Sequence, residues 1–204
     1  MPKTIEITQT ITIKDIDSEP TIQTKVETSK PTLNMAPSPF VPSSISAVES
    51  NQLSILYYAR PDGDIAALTA QKSGEDPSNA DYKSTNVILE GNTISATVPQ
   101  LSAVAYDFHG SKEIRLYYIG GKLGAPTLRE LVRSNGGEWK DGALNKLRLP
   151  ITPNSLISAN VEDDVGDLKV FYNSTDDDDN TVPTVAWVTK GQTAWSSRII
   201  GKWK

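Results

Sequence analysis

The segment Leu101-Ser102-Ala103-Val104, followed by Leu116-Tyr117-Tyr118, decides the fold, because the same pattern recurs on both sides of it. An aliphatic residue and a Ser-Ala pair open each copy, and consecutive openings lie 56 residues apart. A fixed order of elements with loops of varying length is typical of tandem copies of one supersecondary unit. The matching stretches are Ile45-Ser46-Ala47-Val48 with Leu56-Tyr57-Tyr58, and Ile157-Ser158-Ala159-Asn160 with Val170-Phe171-Tyr172.

Each copy has the pattern of about four short strands separated by turn-forming residues, as in Pro61-Asp62-Gly63 and Asn135-Gly136-Gly137. Helical periodicity is nearly absent. A repeat of roughly 50 residues with four strands is the signature of a β-propeller blade. The sequence therefore predicts an all-β fold of β-propeller-type repeats, with three four-stranded blades at about 44–98, 99–153 and 154–204. The alternative is a β-sandwich of about 10 to 12 strands whose self-similarity is accidental.

Three blades are too few to close a ring, since propellers have about four to eight. An open stack of blades would leave exposed sheet edges, which invite pairing with another chain. We therefore expect two copies of this chain to form one six-bladed ring, that is, a homodimer.

The first 43 residues differ in composition from the rest. Apolar residues alternate with polar ones at Ile5, Ile7, Ile11 and Ile13, which indicates a strand. Residues 17–44 are rich in Ser, Thr and Pro, which is typical of an extended linker. We expect residues 1–43 to form an N-terminal extended arm that adds a strand to a sheet edge of the partner subunit, and residues 44–204 to form the three-blade domain.

Composition excludes several functional classes. The 204 residues contain no cysteine, so disulfides, thiolate nucleophiles and Cys-ligated metals are excluded. The single histidine, His109, excludes multi-His metal sites, and in Asp107-Phe108-His109-Gly110 it is expected to be an ordinary loop residue. The net charge of −5 argues against nucleic acid as a partner. The sequence has neither a run of about 18 apolar residues nor a signal peptide, so we expect no membrane insertion and a cytoplasmic location, with non-classical secretion left open.

The middle repeat contains the informative motifs. Glu113-Ile114-Arg115-Leu116-Tyr117-Tyr118 is followed by Leu128-Arg129-Glu130-Leu131 and then by Gly137-Glu138-Trp139-Lys140-Asp141-Gly142. In these motifs the chain resembles the fungal fucose-specific lectin family, whose six-bladed propellers bind fucose between adjacent blades. The resemblance implies a site made from an Arg and a Glu of one blade and from Trp or Tyr side chains of its neighbour. It covers about 160 residues by architecture, but one repeat by motif.

Arg115 and Glu130 suit a sugar ligand. The guanidinium of Arg115 presents a rigid fork of donors to sugar oxygens, and the carboxylate of Glu130 accepts hydroxyl hydrogens. A tryptophan can cover the apolar face of the sugar ring. The alternative is a purely structural cross-strand ion pair beside a core tryptophan.

The other two repeats depart from this pattern. Ile55 and Lys169 replace Arg115, and Ala67 and Ala186 replace Glu130. Lysine lacks the bidentate fork and alanine offers no acceptor, so one competent site per chain is expected. The aromatic position is kept as Tyr82, Trp139 and Trp195. If the third blade is the neighbour, Trp195 covers the sugar, and Trp139 then faces the first-blade site or belongs to the core; the choice between the two is left open.

These features predict a non-catalytic, carbohydrate-binding lectin for fucose or fucosylated glycans, with Arg115, Glu130, Trp195 and Trp139 as candidate ligand-binding residues. No cofactor and no metal are expected. No second acid recurs near Glu130, so glycoside hydrolysis, which needs two carboxylates, is not expected. The alternative function is a propeller-type interaction or structural module whose sugar sites have decayed.

Overall fold

The computed structural model describes residues 40–74, 81–162 and 166–203. The predicted N-terminal arm lies outside the described residues, apart from residues 40–43. The described residues form three antiparallel four-stranded sheets, one two-stranded sheet and one 3-10 helix. No helix in this part of the chain has the length and apolar character needed to cross a bilayer.

The strands follow the order of the chain. The first blade is made of β1 (Ile45–Ser50), β2 (Leu53–Ala59), β3 (Ile65–Ala70) and β4 (Tyr82–Asn86), and the small sheet of β5 (Ile88–Leu89) and β6 (Asn92–Thr93) follows it. The second blade is made of β7 (Val98–Phe108), β8 (Ser111–Lys122), β9 (Ala125–Ser134) and β10 (Lys140–Asp141), and the 3-10 helix (Ala143–Leu147) follows β10. The third blade is made of β11 (Ser158–Val161), β12 (Asp167–Thr175), β13 (Thr181–Thr189) and β14 (Ser196–Ile199).

Each four-stranded sheet is a simple antiparallel meander in which consecutive strands are neighbours. The prediction of three four-stranded, propeller-type blades is confirmed. The sandwich alternative is wrong, because the strands form three separate sheets rather than two facing ones.

Two hydrophobic cores lie between the blades. On β8, Ile114, Leu116 and Tyr118 belong to the core shared with the first blade, whereas Tyr117 and Ile119 belong to the core shared with the third. Successive side chains of a strand point to opposite faces, so the apolar run of β8 supplies both cores. The middle blade is therefore covered on both of its faces.

The repeated serine has a structural role. The hydroxyl of Ser46 accepts a 2.8 Å hydrogen bond from the backbone N–H of Ala103. One blade further on, the hydroxyl of Ser102 accepts a 2.9 Å bond from the N–H of Ala159. The same bond thus joins the first strand of each blade to the first strand of the next, which explains the recurring Ser-Ala pair.

His109 is the loop residue that the sequence predicts. It forms the turn between β7 and β8 together with Gly110, and both residues have positive φ, 50° and 81°. Two-residue hairpin turns of this kind favour glycine at such a position.

Candidate functional site

Neighbouring strands of the middle blade place Arg115 and Glu130 on one face. In the register of β8 and β9, Glu130 lies opposite Tyr117, two residues beyond Arg115. The two charged side chains therefore point toward the third blade, and Arg115 Nη1 donates a 2.9 Å hydrogen bond to Glu130 Oε1. The side chain of Arg115 is 13% exposed and that of Glu130 is 0% exposed. The predicted pair is thus a buried ion pair whose arginine reaches the surface.

The loop after β10 covers the Glu130 carboxylate. The backbone N–H of Leu144 donates a 3.1 Å bond to Oε2 of Glu130. Asn145 fixes this loop to the strand, because its side chain accepts a 2.7 Å bond from the N–H of Glu130 and donates a 2.9 Å bond to the carbonyl of Glu130. The sequence predicts Glu130 as a direct acceptor for sugar hydroxyls, whereas the structure gives both of its oxygens partners within the protein.

The second partner of Arg115 is Tyr106. Arg115 Nε donates a 3.1 Å bond to the phenol oxygen of Tyr106, on the neighbouring strand β7. Two of the five guanidinium N–H groups are therefore used, and the direction of the guanidinium is fixed from two sides. The sequence analysis did not identify Tyr106, Leu144 or Asn145. Tyr106 could have been found from the β7–β8 hairpin, because it lies opposite Glu113, two residues before Arg115 on the neighbouring strand. No pattern in the sequence marks Asn145.

Burial dominates the electrostatics of the pair. It raises the pKa of Glu130 above its usual value, and the charge of Arg115 and the hydrogen bonds from Leu144 and Arg115 only partly offset this effect. Burial and the nearby Glu130 carboxylate also raise the pKa of Tyr117 well above its usual value. The environment thus penalises any change that removes the counter-charge of Glu130.

The structure separates the two candidate tryptophans. Trp195 lies edge-on to Tyr117 with ring centroids 6.0 Å apart, in the core shared by the second and third blades. Its indole Nε1 is buried and has no hydrogen-bond partner among the described residues. Trp139 instead lies edge-on to Tyr57 in the other core, where the Arg133 guanidinium stands 5.8 Å above its ring. Trp195 is therefore the tryptophan on the side of Arg115 and Glu130.

The register corrects one equivalence drawn from the sequence. Lys169 of β12 corresponds to Arg115, and the position matching Glu130 lies opposite Phe171, which is Val185 and not Ala186. Ala186 belongs to the core facing the second blade, on the other face of β13. Valine also lacks an acceptor, so the third blade still has no counterpart of the Arg115–Glu130 pair.

A cleft of about 800 Å³ opens above the pair, between the second and third blades. Arg115 lines it together with Asn145 and, from the third blade, Thr193. Glu130 and Trp195 are buried and do not line it. Of the four candidate residues, Arg115 is therefore the one that the cleft presents to a ligand, and Glu130 lies behind it as the partner of its ion pair.

The fold is similar to that of known lectins. AofleA from Arthrobotrys oligospora, solved as a triple arginine-to-alanine mutant, matches with a TM-score of 0.54 and 18% identity over 76% of this chain and 40% of that chain. A mutant of the Aleuria aurantia lectin, in complex with Fucα1-6GlcNAc, matches with a TM-score of 0.52 and 18% identity over 76% of this chain and 47% of that chain. A mercury derivative of the fucose-specific lectin from Aleuria aurantia gives a TM-score of 0.51 and 17% identity over the same shares.

These matches show a propeller-type lectin fold. The resemblance to fungal fucose-specific lectins is thus confirmed in the fold, while the chain spans less than half the length of each matched protein. No protein-family model matches the sequence, and a search of curated proteins finds no match.

Proposed function

We propose that the chain is a non-catalytic lectin that binds fucosylated glycans through Arg115, with one site per chain. The observation that carries this proposal is the orientation of Arg115, held by Glu130 and Tyr106 at the surface of an inter-blade cleft. Preorganised donors reduce the entropy lost on binding, which favours a small ligand rich in hydroxyl groups. Fucose offers such hydroxyls to Arg115, whereas Trp195 and Tyr117 are buried and support the site from the core rather than contacting the sugar.

Glu130 has a different role in this proposal from the one that its motif suggests. Its carboxylate is covered by the loop at Leu144, so it acts on the sugar through Arg115, as a positioning residue and counter-charge. Burial in the same place argues against a glycosidase, because a catalytic acid must reach the glycosidic oxygen. That the neighbouring folds are lectins supports the same non-enzymatic role.

The experiment that tests sugar binding is a calorimetric titration with L-fucose. One monosaccharide makes few contacts, so we expect one site per chain with a dissociation constant on the order of micromolar to millimolar. D-Glucose is the control and should give no heat. The absence of heat with L-fucose at millimolar concentration would favour the alternative of an interaction module with decayed sites.

We propose further that two copies associate into a six-bladed ring. Leu101 on the first strand of the second blade and Ile157, directly before the first strand of the third, are 3% and 9% exposed, because the preceding blade covers them. The equivalent Ile45 is 59% exposed. Leu56 and Leu68 are likewise only half-buried, whereas their counterparts Leu116, Leu131, Val170 and Ala186 are fully buried.

The hydrogen bonds between blades suggest how the copies meet. Ser46 and Ser102 each accept a bond from the next blade, whereas the third serine of the series, Ser158, is exposed. In a ring, Ser158 would accept the same bond from the N–H of Ala47 of the partner subunit. Two such head-to-tail contacts, related by a two-fold axis, would close the ring.

Light scattering tests this assembly. We expect a particle of about twice the 22.2 kDa chain mass, because the uncovered apolar face of the first blade requires a partner. Ile45→Glu places a charge in that face and should give a monomer, whereas Leu123→Glu, at an exposed turn, should leave the dimer intact. A monomeric wild type at micromolar concentration would contradict the ring.

A further inference from the structure

The cleft above Arg115 is strongly basic in a chain whose net charge is negative. Asp141 is the one acidic residue among its described lining residues. Five basic side chains also line it: Arg115, Arg129, Lys140, Lys146 and Arg148. The whole chain carries a net charge of −5, so this concentration of positive charge is local.

Three of the five cations are not neutralised by the fold. Arg115 is paired with Glu130, and Arg129 lies 3.7 Å from Asp141. The described residues provide no carboxylate within ion-pair distance of Lys140, Lys146 or Arg148. All three of these residues are exposed. They meet in a concave surface, where a field of one sign attracts an oppositely charged ligand.

The cleft between the first and second blades can be compared with the one above Arg115. It has a volume of about 610 Å³ and the same arrangement of a buried tyrosine and a tryptophan, Tyr57 and Trp139. Its lining contains one cation, Arg133, and two carboxylates, Glu90 and Glu138. Excess positive charge is therefore a property of the cleft that holds the proposed sugar site, and not of every cleft between blades.

Two of the three unpaired cations, Lys146 and Arg148, belong to the segment that covers Glu130, and Lys140 lies on the strand before it. Lys146 lies in the 3-10 helix whose Leu144 amide caps Glu130, and Arg148 ends that helix in the left-handed conformation, with φ of 49°. Left-handed backbone is costly for a non-glycine residue and recurs at functional sites. The same short segment thus covers the ion pair and presents cations beside it.

We infer that this cleft binds an acidic group, a sulfate ester or a carboxylate, on a glycan whose fucose occupies the Arg115 site. The inference rests on the proposed fucose binding and specifies the ligand class further: acidic fucosylated glycans rather than neutral ones. Sulfates and carboxylates both accept charge-assisted hydrogen bonds from lysine and arginine, and the arginine fork can hold either one with two bonds.

The test compares three probes on the full chain: a neutral fucosylated trisaccharide, the same glycan carrying sialic acid, and the same glycan carrying a sulfate. At low salt, at least one acidic glycan should bind about tenfold more tightly than the neutral one, the gain that a few partly exposed ion pairs supply. The advantage should largely disappear at 0.5 M NaCl, because salt screens exposed charges. The two acidic probes distinguish carboxylate from sulfate as the source of the charge.

Charge-reversal variants locate the effect. The double variant Lys140→Glu with Lys146→Glu should remove the preference for acidic glycans. Its matched control is Lys83→Glu with Lys122→Glu, two exposed lysines, of which Lys83 occupies in the first blade the position of Lys140 in the second. The control should keep the preference, since neither residue lines this cleft.

The outcomes separate this inference from the proposed function. If L-fucose binds but neither acidic glycan is preferred, the inference is wrong and the lectin proposal stands. If L-fucose fails to bind while a sulfated heparin oligosaccharide binds in a salt-dependent manner that the double variant abolishes, the anion site stands and the fucose proposal fails. Tighter binding of a single-stranded oligonucleotide than of either acidic glycan would assign the cleft to nucleic acid and overturn the inference.

Discussion

Arg115→Ala should lower the affinity for L-fucose by roughly thirtyfold or more, since hydrogen bonds from a charged group contribute about 2–3 kcal/mol to binding. The guanidinium is the part of the Arg115–Glu130 pair that lines the cleft, so its removal leaves no group of that pair at the surface. Calorimetric titration of wild type and variant measures the loss directly.

The same substitution leaves Glu130 buried without its counter-charge, which itself destabilises the fold. Arg115→Lys separates the two effects, because it keeps a positive charge beside Glu130 but loses the fork that is bonded to both Tyr106 and Glu130. We expect this variant to melt near the wild-type temperature and to bind L-fucose at least several-fold more weakly.

Lys169→Ala is the control in the third blade. Lys169 occupies the position of Arg115 there, but Val185 lies where the acid would be, so the substitution should change fucose binding little. Equal losses in the Arg115 and Lys169 variants would mean that the site has been assigned to the wrong blade.

The blades were predictable from sequence because their signals are local and repeated. A strand pattern of period two, turn residues and a fixed spacing survive loop changes, and they recur three times in this chain. The pairing of Arg115 with Glu130 was also predictable, because the motifs place the two residues on neighbouring strands of one blade.

The burial of the Glu130 carboxylate and its hydrogen-bond partners were not predictable in the same way. These features depend on the Leu144 amide and the Asn145 side chain, which reach the strand through a loop with no repeating counterpart.

The choice of Ala186 over Val185 as the counterpart of Glu130 was wrong for a related reason. A shift of one residue moves a side chain to the other face of a strand, and a short apolar run such as Val185-Ala186 gives no sign of which face each residue occupies.

The basic cleft illustrates a third limit. Lys140, Lys146 and Arg148 are ordinary surface residues in the sequence of an acidic chain, and nothing in their spacing joins them to Arg115. They meet because β10 and the 3-10 helix fold back over β9, the strand that carries Glu130. The net charge of the whole chain therefore does not reveal a local cluster of basic residues that only the tertiary structure brings together.

Gly142 allows the segment between β10 and the 3-10 helix to lie directly over Glu130. It precedes the 3-10 helix with φ of −81° and ψ of 158°, a backbone conformation that alanine adopts without strain. Its N–H also donates a 2.9 Å bond to the carbonyl of Glu130. A β-carbon at this position would lie 2.1 Å from Oε2 and 2.3 Å from Cγ of Glu130, far inside van der Waals contact. Glycine is therefore required here by the buried glutamate beneath it and not by the backbone.

We expect Gly142→Ala to destabilise the protein by about 3 kcal/mol, which combines overpacking with the loss of a buried charged contact. For a chain of this size, that corresponds to a fall in melting temperature of roughly 6–12 °C. Fucose affinity should fall as well, because the displaced Glu130 no longer orients Arg115.

Gly124→Ala is the matched control: no atom lies within 4 Å of its added β-carbon, so its stability should stay within about 0.5 kcal/mol of wild type. Thermal melts of both variants measure the difference.

A double-mutant cycle identifies the cause of the Gly142→Ala effect. In a Glu130→Ala background the carboxylate that the new methyl group would strike is gone, so Gly142→Ala should cost less there than in the wild type. The coupling between the two positions should be at least about 1 kcal/mol, within the range measured for residues in contact. An equal cost in the two backgrounds would show that the methyl group is accommodated by movement of the loop, and that Gly142 does not hold the cover over Glu130.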